Sequence, residues 1–168
     1  MPDSPLPLLH VFEVPGDDGR IRHLLAFIEP ARADSIGIDS ESIVGEITPT
    51  AEGGFDPQSL QRNPQFLQAF ARYMDEVEAH SPEMVDKARG LHSGWAYVID
   101  PRAPAQPGVE PDQADIVGAF SVDDSGRIVP DSFQYNESHL LIDREKGFSG
   151  LFTDQKFYDW LHREPGKA

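Results

Sequence analysis

"LLHVFEVPGDDGRIRHLLAFI", residues 8–28, decides the fold class. Two stretches rich in β-branched and aromatic residues, 8–14 and 20–28, flank a Pro-Gly-Asp-Asp-Gly turn, so the segment reads as a β-hairpin. In its second half Ile21, His23, Leu25 and Phe27 share one face, and Leu24, Ala26 and Ile28 share the other. Apolar residues on both faces predict a central strand covered on both sides. A near-copy of the turn recurs in "SVDDSGRIVP", 121–130, set against "EVPGDDGRIR", 13–22. An EF-hand loop needs Gly at its sixth position and a bidentate Glu at its twelfth. "DDSGRIVPDSFQ" puts Gly126 fourth and Gln134 last, so the pattern reads as one strand-reversing turn used twice rather than a cation loop.

Outward from the hairpin, 29–42 reads as loop, "SIVGEI" (42–47) as a third strand, and 48–62 as a Gly/Pro-rich loop. The period then changes. Asn63 caps and Pro64 opens a helix in which Leu67, Phe70, Met74 and Val77 recur at helical spacing. A second helix follows, capped by Ser81, opened by Pro82 and ended at Gly90. "GWAYVID", 94–100, is a strand with Trp95, Tyr97 and Ile99 on one face. Residues 101–115 form a Pro-rich connection, 116–122 and about 127–135 a second hairpin, and 138–143 a last strand. A final helix in "FTDQKFYDWLHRE" takes Thr153 as its cap, with Phe157, Trp160 and Leu161 as its buried stripe. The expectation is a single α+β domain over 1–168. It has a mostly antiparallel sheet of about five or six strands, including two hairpins with acidic Gly turns, and about three helices.

Composition bounds the function. The chain has 168 residues and a net charge of −15. Such a field repels nucleic-acid phosphates and anionic membrane surfaces, and the arginines are scattered, so neither partner is expected. No cysteine occurs, which excludes disulfides, zinc–thiolate sites, iron–sulfur clusters and thiol nucleophiles. The N-terminal stretch has no basic start and no long apolar run, which points to a soluble, cytoplasmic protein.

The search for chemistry gives weak candidates. No Gly-x-Ser-x-Gly elbow appears. Glu76 and His80, one helical turn apart, supply two ligands where a metal site needs three, and "AEGGFD" lacks the lysine of a phosphate loop. Neither metal nor cofactor is therefore expected. His10 and His23, on the paired strands of the first hairpin, read as satisfied structural histidines. Catalytic candidates are His92, His139 and Asp100; a hydrolase would bring His92 or His139 within hydrogen-bond reach of Asp100 or another acid in a pocket. A small-ligand or anion sensor would use Arg102 or Arg127 as counter-charge. The favoured class is a non-enzymatic acidic interaction protein, an immunity or inhibitor protein or an adaptor, that binds a basic protein partner. Its contact residues are expected in two places. One is the acidic Pro-rich connection, with Glu110, Asp112 and Asp115; the other is the polar stretch with Gln134, Tyr135, Asn136 and His139.

Overall fold

The order of elements follows the turn and cap signals closely. The computed structural model describes residues 8–103 and 110–163. β1 (Leu9–Pro15) and β2 (Ile21–Phe27) form the first hairpin, followed by α1 (Pro30–Ile36), β3 (Ile43–Ile47) and β4 (Gln61–Arg62). Next come α2 (Pro64–Glu76), α3 (Pro82–Arg89), β5 (Gly94–Ile99), β6 (Ile116–Val122) and β7 (Gln134–Tyr135). β8 (Ile142–Asp143), β9 (Gly147–Phe148) and α4 (Gln155–Leu161) complete the described elements. The fold is α+β, and every strand pair is antiparallel. No helix among the described residues is long and apolar enough to cross a membrane.

The described strands number nine, in sheets ordered β1-β2-β3-β4, β5-β6-β7 and β8-β9, and the α-helices number four. The chain divides into two compact units. Unit 1 is 1–67 with 142–168, and unit 2 is 68–141. In unit 1, Phe27 packs on Phe152, Phe157 and Tyr158 with ring centroids 5.1–5.6 Å apart. In unit 2, Phe133 meets Phe120 at 5.1 Å and Phe70 at 5.8 Å.

Several expectations shift in detail. β2 is central, and Leu24 through Phe27 are buried, but Ile21 is 61% exposed because it stands at the turn end of the ribbon. Residues 30–36 are helical rather than loop, opened by Pro30. The buried stripe of α2 runs through Phe66, Ala69, Phe70, Tyr73 and Met74; Phe70 and Met74 are buried as the spacing predicts, while Phe66 rather than Leu67 fills the core at the helix start. α4 is capped by Asp154, whose carboxylate accepts from Lys156 and Phe157 N–H groups, and Tyr158 is buried where Trp160 was expected. His10 pairs with Ala26 and His23 with Glu13, so the two histidines are not cross-strand neighbours.

The second hairpin keeps its turn but loses most of its returning strand. Beyond the Val122–Ile128 bridge, Pro130 lacks a main-chain donor and Asp131 takes φ +55°, so regular pairing resumes only at β7. The strand expected at 138–143 shrinks to β8, which pairs with β9 instead of joining the larger sheet.

The acidic turn is one device. Gly16 N–H donates to Arg20 O and Gly19 N–H to Gly16 O; Asp123 N–H donates to Arg127 O and Gly126 N–H to Asp123 O. Thr50–Gly54 is a third instance, with Thr50 N–H to Gly54 O and Gly53 N–H to Thr50 O. Gly19, Gly53 and Gly126 occupy the left-handed region that each turn requires.

This third turn exposes a longer repeat. Unit 2 restates β2–β3–β4 as β5–β6–β7 with every position 73 residues later, from Gly45 and Gly118 to Asn63 and Asn136. "SIVGEI" corresponds to "DIVGAF" and "QRN" to "QYN"; 42–67 and 115–140 agree at nine of 26 positions without a gap. The hydrogen bonds repeat as well. Thr48 N–H bonds Ser59 Oγ as Ser121 N–H bonds Ser132 Oγ. Asn63 N–H bonds Val44 O as Asn136 N–H bonds Val117 O. Even the register slip recurs, between Leu25 and Ala26 and between Val98 and Ile99.

Gly45 and Gly118 are required by this plan. A Cβ on either would stand closer than 3.0 Å to the main-chain oxygen of Gln61 or Gln134. Gly118→Ala is expected to cost about 1–3 kcal/mol through overpacking, as is Gly45→Ala, measured by urea denaturation.

His162 Nε2–H donates to Phe27 O at 2.7 Å in the core of unit 1. Burial depresses its pKa below the ordinary 6.5, and Arg32 adds to this; the Phe27 bond, Asp39 and Asp159 oppose it. The unfolded chain therefore takes up a proton that the folded chain resists, and the contribution of this group to stability is lost as pH falls below about 6.5. His162→Gln is expected to flatten that part of the stability-versus-pH curve; an unchanged slope would refute the assignment.

Candidate functional site

In unit 2 the strand ends and turns bring ionisable groups into the interior. Asp100 follows β5, and its N–H donates to Asp115 O. Asp115 closes the short 3-10 turn Gln113–Asp115 that leads into β6. After β7, Asn136 closes another turn. Its Oδ1 accepts from Ser138 N–H at 3.1 Å, and its main-chain oxygen accepts from His139 N–H at 2.9 Å. The Asn136 Nδ2 group donates to Gln113 O at 2.8 Å and Ile116 O at 2.9 Å. This clamp ties the start of β6 to the end of β7 and carries His139 inward.

The result is a buried chain of polar groups. His139 Nε2 lies 2.8 Å from Asp100 Oδ2, and His139 Nδ1 lies 2.8 Å from Tyr135 Oη. Asp100 is acceptor-only as a carboxylate, so Nε2 carries a proton toward it; in the neutral ring, Nδ1 accepts the Tyr135 hydroxyl proton. Arg102 stands behind, its Nε 3.4 Å from both Asp100 Oδ2 and Asp115 Oδ1. Its outer nitrogen donates to Ala114 O and Leu140 O. The side chains of Asp100, Asp115, Arg102 and His139 are all buried.

Tyr135 is half-buried, its ring on the face opposite Gln134 and beside Phe70. It lines a groove of about 410 Å³ together with Trp95, Tyr97, Gln134, Asn136 and Glu137. Trp95 and Tyr97 point outward from β5, 43% and 49% exposed, while Ala96 between them is buried. Pairing of Tyr97 with Ala119, and of Ala119 with Gln134, puts those three on one face. The face is thus two aromatic rings beside a small residue and an amide, edged by Glu137.

The sequence candidates separate accordingly. His139 and Asp100 do meet, but both are inside, and both nitrogens of the His139 ring are engaged there. His92 lies exposed in the turn before β5 with φ +60° and makes no hydrogen bond to Asp100 among the described residues. Asp115 and His139 are buried and offer no contact surface, because each is bonded into the interior chain. Gln134, Tyr135 and Asn136 do line the groove, the last with its amide nitrogen already committed to the clamp. Glu110 and Asp112 are exposed, while 104–109 of the Pro-rich connection lie outside the described residues. Arg102, considered as an anion partner, is occupied by Asp100 and Asp115.

Arg127 borders a second groove of about 720 Å³ with His80, Asp75, Glu76, Arg89 and Asp131. Burial raises the Asp75 pKa there; the Phe133 N–H, bonded at 3.0 Å, opposes this, and Asp131 and Glu76 reinforce it. No trio of His, Asp or Glu among the described residues is arranged to hold a metal ion.

The sequence pairs His139 with Asp100 but gives neither their burial nor the company of Arg102 and Asp115, although one signal is available. Read 73 residues apart, Asp100 and His139 correspond to Phe27 and Phe66, the centre of the unit 1 core. Polar residues at positions the plan fills with phenylalanine mark an interior network. Comparison with protein-family models, with curated proteins and with solved structures returns no match for this chain.

Removing one member leaves its partners buried and unbalanced. Asp100→Ala is expected to destabilise unit 2 by about 3–5 kcal/mol, read as a lower urea midpoint at unchanged m-value. A loss well below about 1 kcal/mol would show that the Asp100–His139 contact does not form.

Proposed function

We propose that this chain is a non-enzymatic interaction protein that binds a basic protein partner through the outward face of β5–β7. The observation that carries the reading is the adjacent exposure of Trp95 and Tyr97 beside Ala119 and Gln134, over a groove edged by Glu137. Aromatic rings with one polar end give a large contact area at low entropic cost and are the usual anchors of protein interfaces. A guanidinium or ammonium group can stack on such rings while a carboxylate answers its charge. The net charge of −15 then supplies long-range steering toward a cationic surface. Exposed Glu110 and Asp112 add negative charge to the same unit. An immunity or inhibitor protein acting on a basic toxin fits this chemistry, as does an adaptor.

A second reading, a hydrolase, draws on the 2.8 Å contact between His139 and Asp100. It stands second because catalysis needs a ring nitrogen turned toward substrate, and here one nitrogen faces a buried carboxylate and the other a tyrosine hydroxyl.

The binding reading is tested with immobilised protein at low ionic strength. It is expected to retain a basic partner that elutes as salt is raised. The Trp95→Ala, Tyr97→Ala double variant is expected to retain it at least roughly tenfold less, since each anchor contributes about 1–2 kcal/mol or more. Retention unaffected by the double substitution removes this face from the interaction.

A further inference from the structure

The four-stranded sheet of unit 1 and the three-stranded sheet of unit 2 match strand for strand except at one edge. In unit 1, β1 lies along β2, pairing Phe12 with Leu24 and Val14 with Arg22. The counterparts of Leu24 and Arg22 are Tyr97 and Trp95. No strand among the described residues pairs with that side of β5, where the sheet ends.

The direction of the main-chain groups on β5 follows from its neighbours. Val117 O accepts from Asn136 N–H and Ser121 O from Val129 N–H, so these two residues turn their main-chain groups away from β5. By alternation Gly118, Phe120 and Val122 turn toward it, and their partners Val98, Ala96 and Gly94 turn inward to meet them. The N–H and C=O groups of Trp95 and Tyr97 therefore lie on the outer edge. The Lys87 ammonium of α3 donates to Tyr97 O, as an outward carbonyl allows. A charged side chain that covers a strand edge guards it against indiscriminate pairing.

We propose that this edge of β5 accepts an extended, basic strand of a partner protein, antiparallel, in the place that β1 takes on β2. The inference rests on the basic-partner reading and specifies how such a partner is held. The template is internal, since the same three-strand plan receives a fourth strand in unit 1 through the equivalent residues. Charge selects the occupant. A second copy of this chain would bring another −15 against the first, whereas a strand alternating Lys or Arg with apolar residues meets Trp95 and Tyr97 on one face. Main-chain bonds to Trp95 and Tyr97 then supply affinity, and the two rings with Glu137 supply side-chain selection. The incoming strand displaces Lys87 from the Tyr97 carbonyl and replaces its bond with a main-chain N–H.

The test uses the full chain and a synthetic peptide of seven residues, the length of β1, alternating valine with lysine. A second peptide of the same sequence is N-methylated at alternate amides, in both phases, which removes edge donors and leaves charge unchanged. The plain peptide is expected to bind and to slow amide hydrogen exchange at Trp95 and Tyr97 roughly tenfold or more, and methylation in one phase to weaken binding roughly tenfold. Equal binding of all peptides without protection at Trp95 and Tyr97 overturns strand addition but leaves a basic partner on this face. Absence of binding by any peptide at low ionic strength overturns both. Slow exchange at Trp95 and Tyr97 in the protein alone means the edge is already filled by its own chain, and also overturns the proposal.

Discussion

A single asparagine side chain holds each unit's strand crossing in place. In unit 2, Asn136 bonds two carbonyls at opposite ends of the turn Gln113–Asp115 and, through its main chain, Val117 on β6. In unit 1, Asn63 does the same with Ser40 O, Ile43 O and Val44 O. A carboxamide is suited to this because it offers two donors and an acceptor on one short stem. With the clamp closed, β4 or β7 is pressed against β3 or β6 so tightly that only glycine fits at 45 and 118. The same turn sends the third residue after the asparagine into the interior, Phe66 in one unit and His139 in the other. The site in unit 2 therefore descends from a backbone constraint shared with a unit that has no such site.

What differs is the chemistry placed on equivalent backbone. Phe27 and Phe66 lie among Phe152, Phe157 and Tyr158, a wholly aromatic cluster. Asp100 and His139 stand at the corresponding positions and are answered by Arg102, Asp115 and Tyr135. Burying two carboxylates and a guanidinium is costly, and well-packed apolar groups commonly give equal or greater stability. Unit 1 shows that this plan tolerates phenylalanine at both positions. Stability alone thus gives little reason for the polar set. Its distinctive effect is to fix the Tyr135 ring from behind, with the hydroxyl held by His139 and the ring edge against Phe70 at 6.4 Å.

The legible part of the sequence was local. Turn glycines, Ser81, Pro82 and Asn63 with Pro64 located hairpins and helix starts because each answers a main-chain requirement within a few residues. Errors gathered where partners are distant. Helical spacing alone did not decide which side of α2 meets a core, so Leu67 stood in for Phe66. The returning strand of the second hairpin looked continuous because its apolar content outweighed one proline, although Asp131 then takes a left-handed turn. Asp115 and His139 looked like surface groups for the same reason. Pairing His139 with Asp100 as candidates does not reveal that both lie inside, nor that Arg102 joins Asp115 there, because those approaches depend on strand register. The repeat escaped because its most visible fragment, the acidic turn, matches better between 16–20 and 123–127 than between the true counterparts 50–54 and 123–127.

A rigid interior matters more to recognition than to catalysis. A histidine that activates a substrate must exchange protons with it, which requires one nitrogen to be accessible; the interior placement of His139 works against this and in favour of immobility. A sheet held rigid from its inner face lowers the entropy lost when a partner docks, because the strands that carry the contact residues do not move. Trp95 and Tyr97 are set on a β-strand rather than a loop, so their spacing is fixed by the pleat. Affinity in such an arrangement comes from anchors that need no rearrangement, and association rate from the charge of the whole chain. These two contributions respond differently to salt, since screening slows encounter while leaving the stacked, partly desolvated contacts nearly intact.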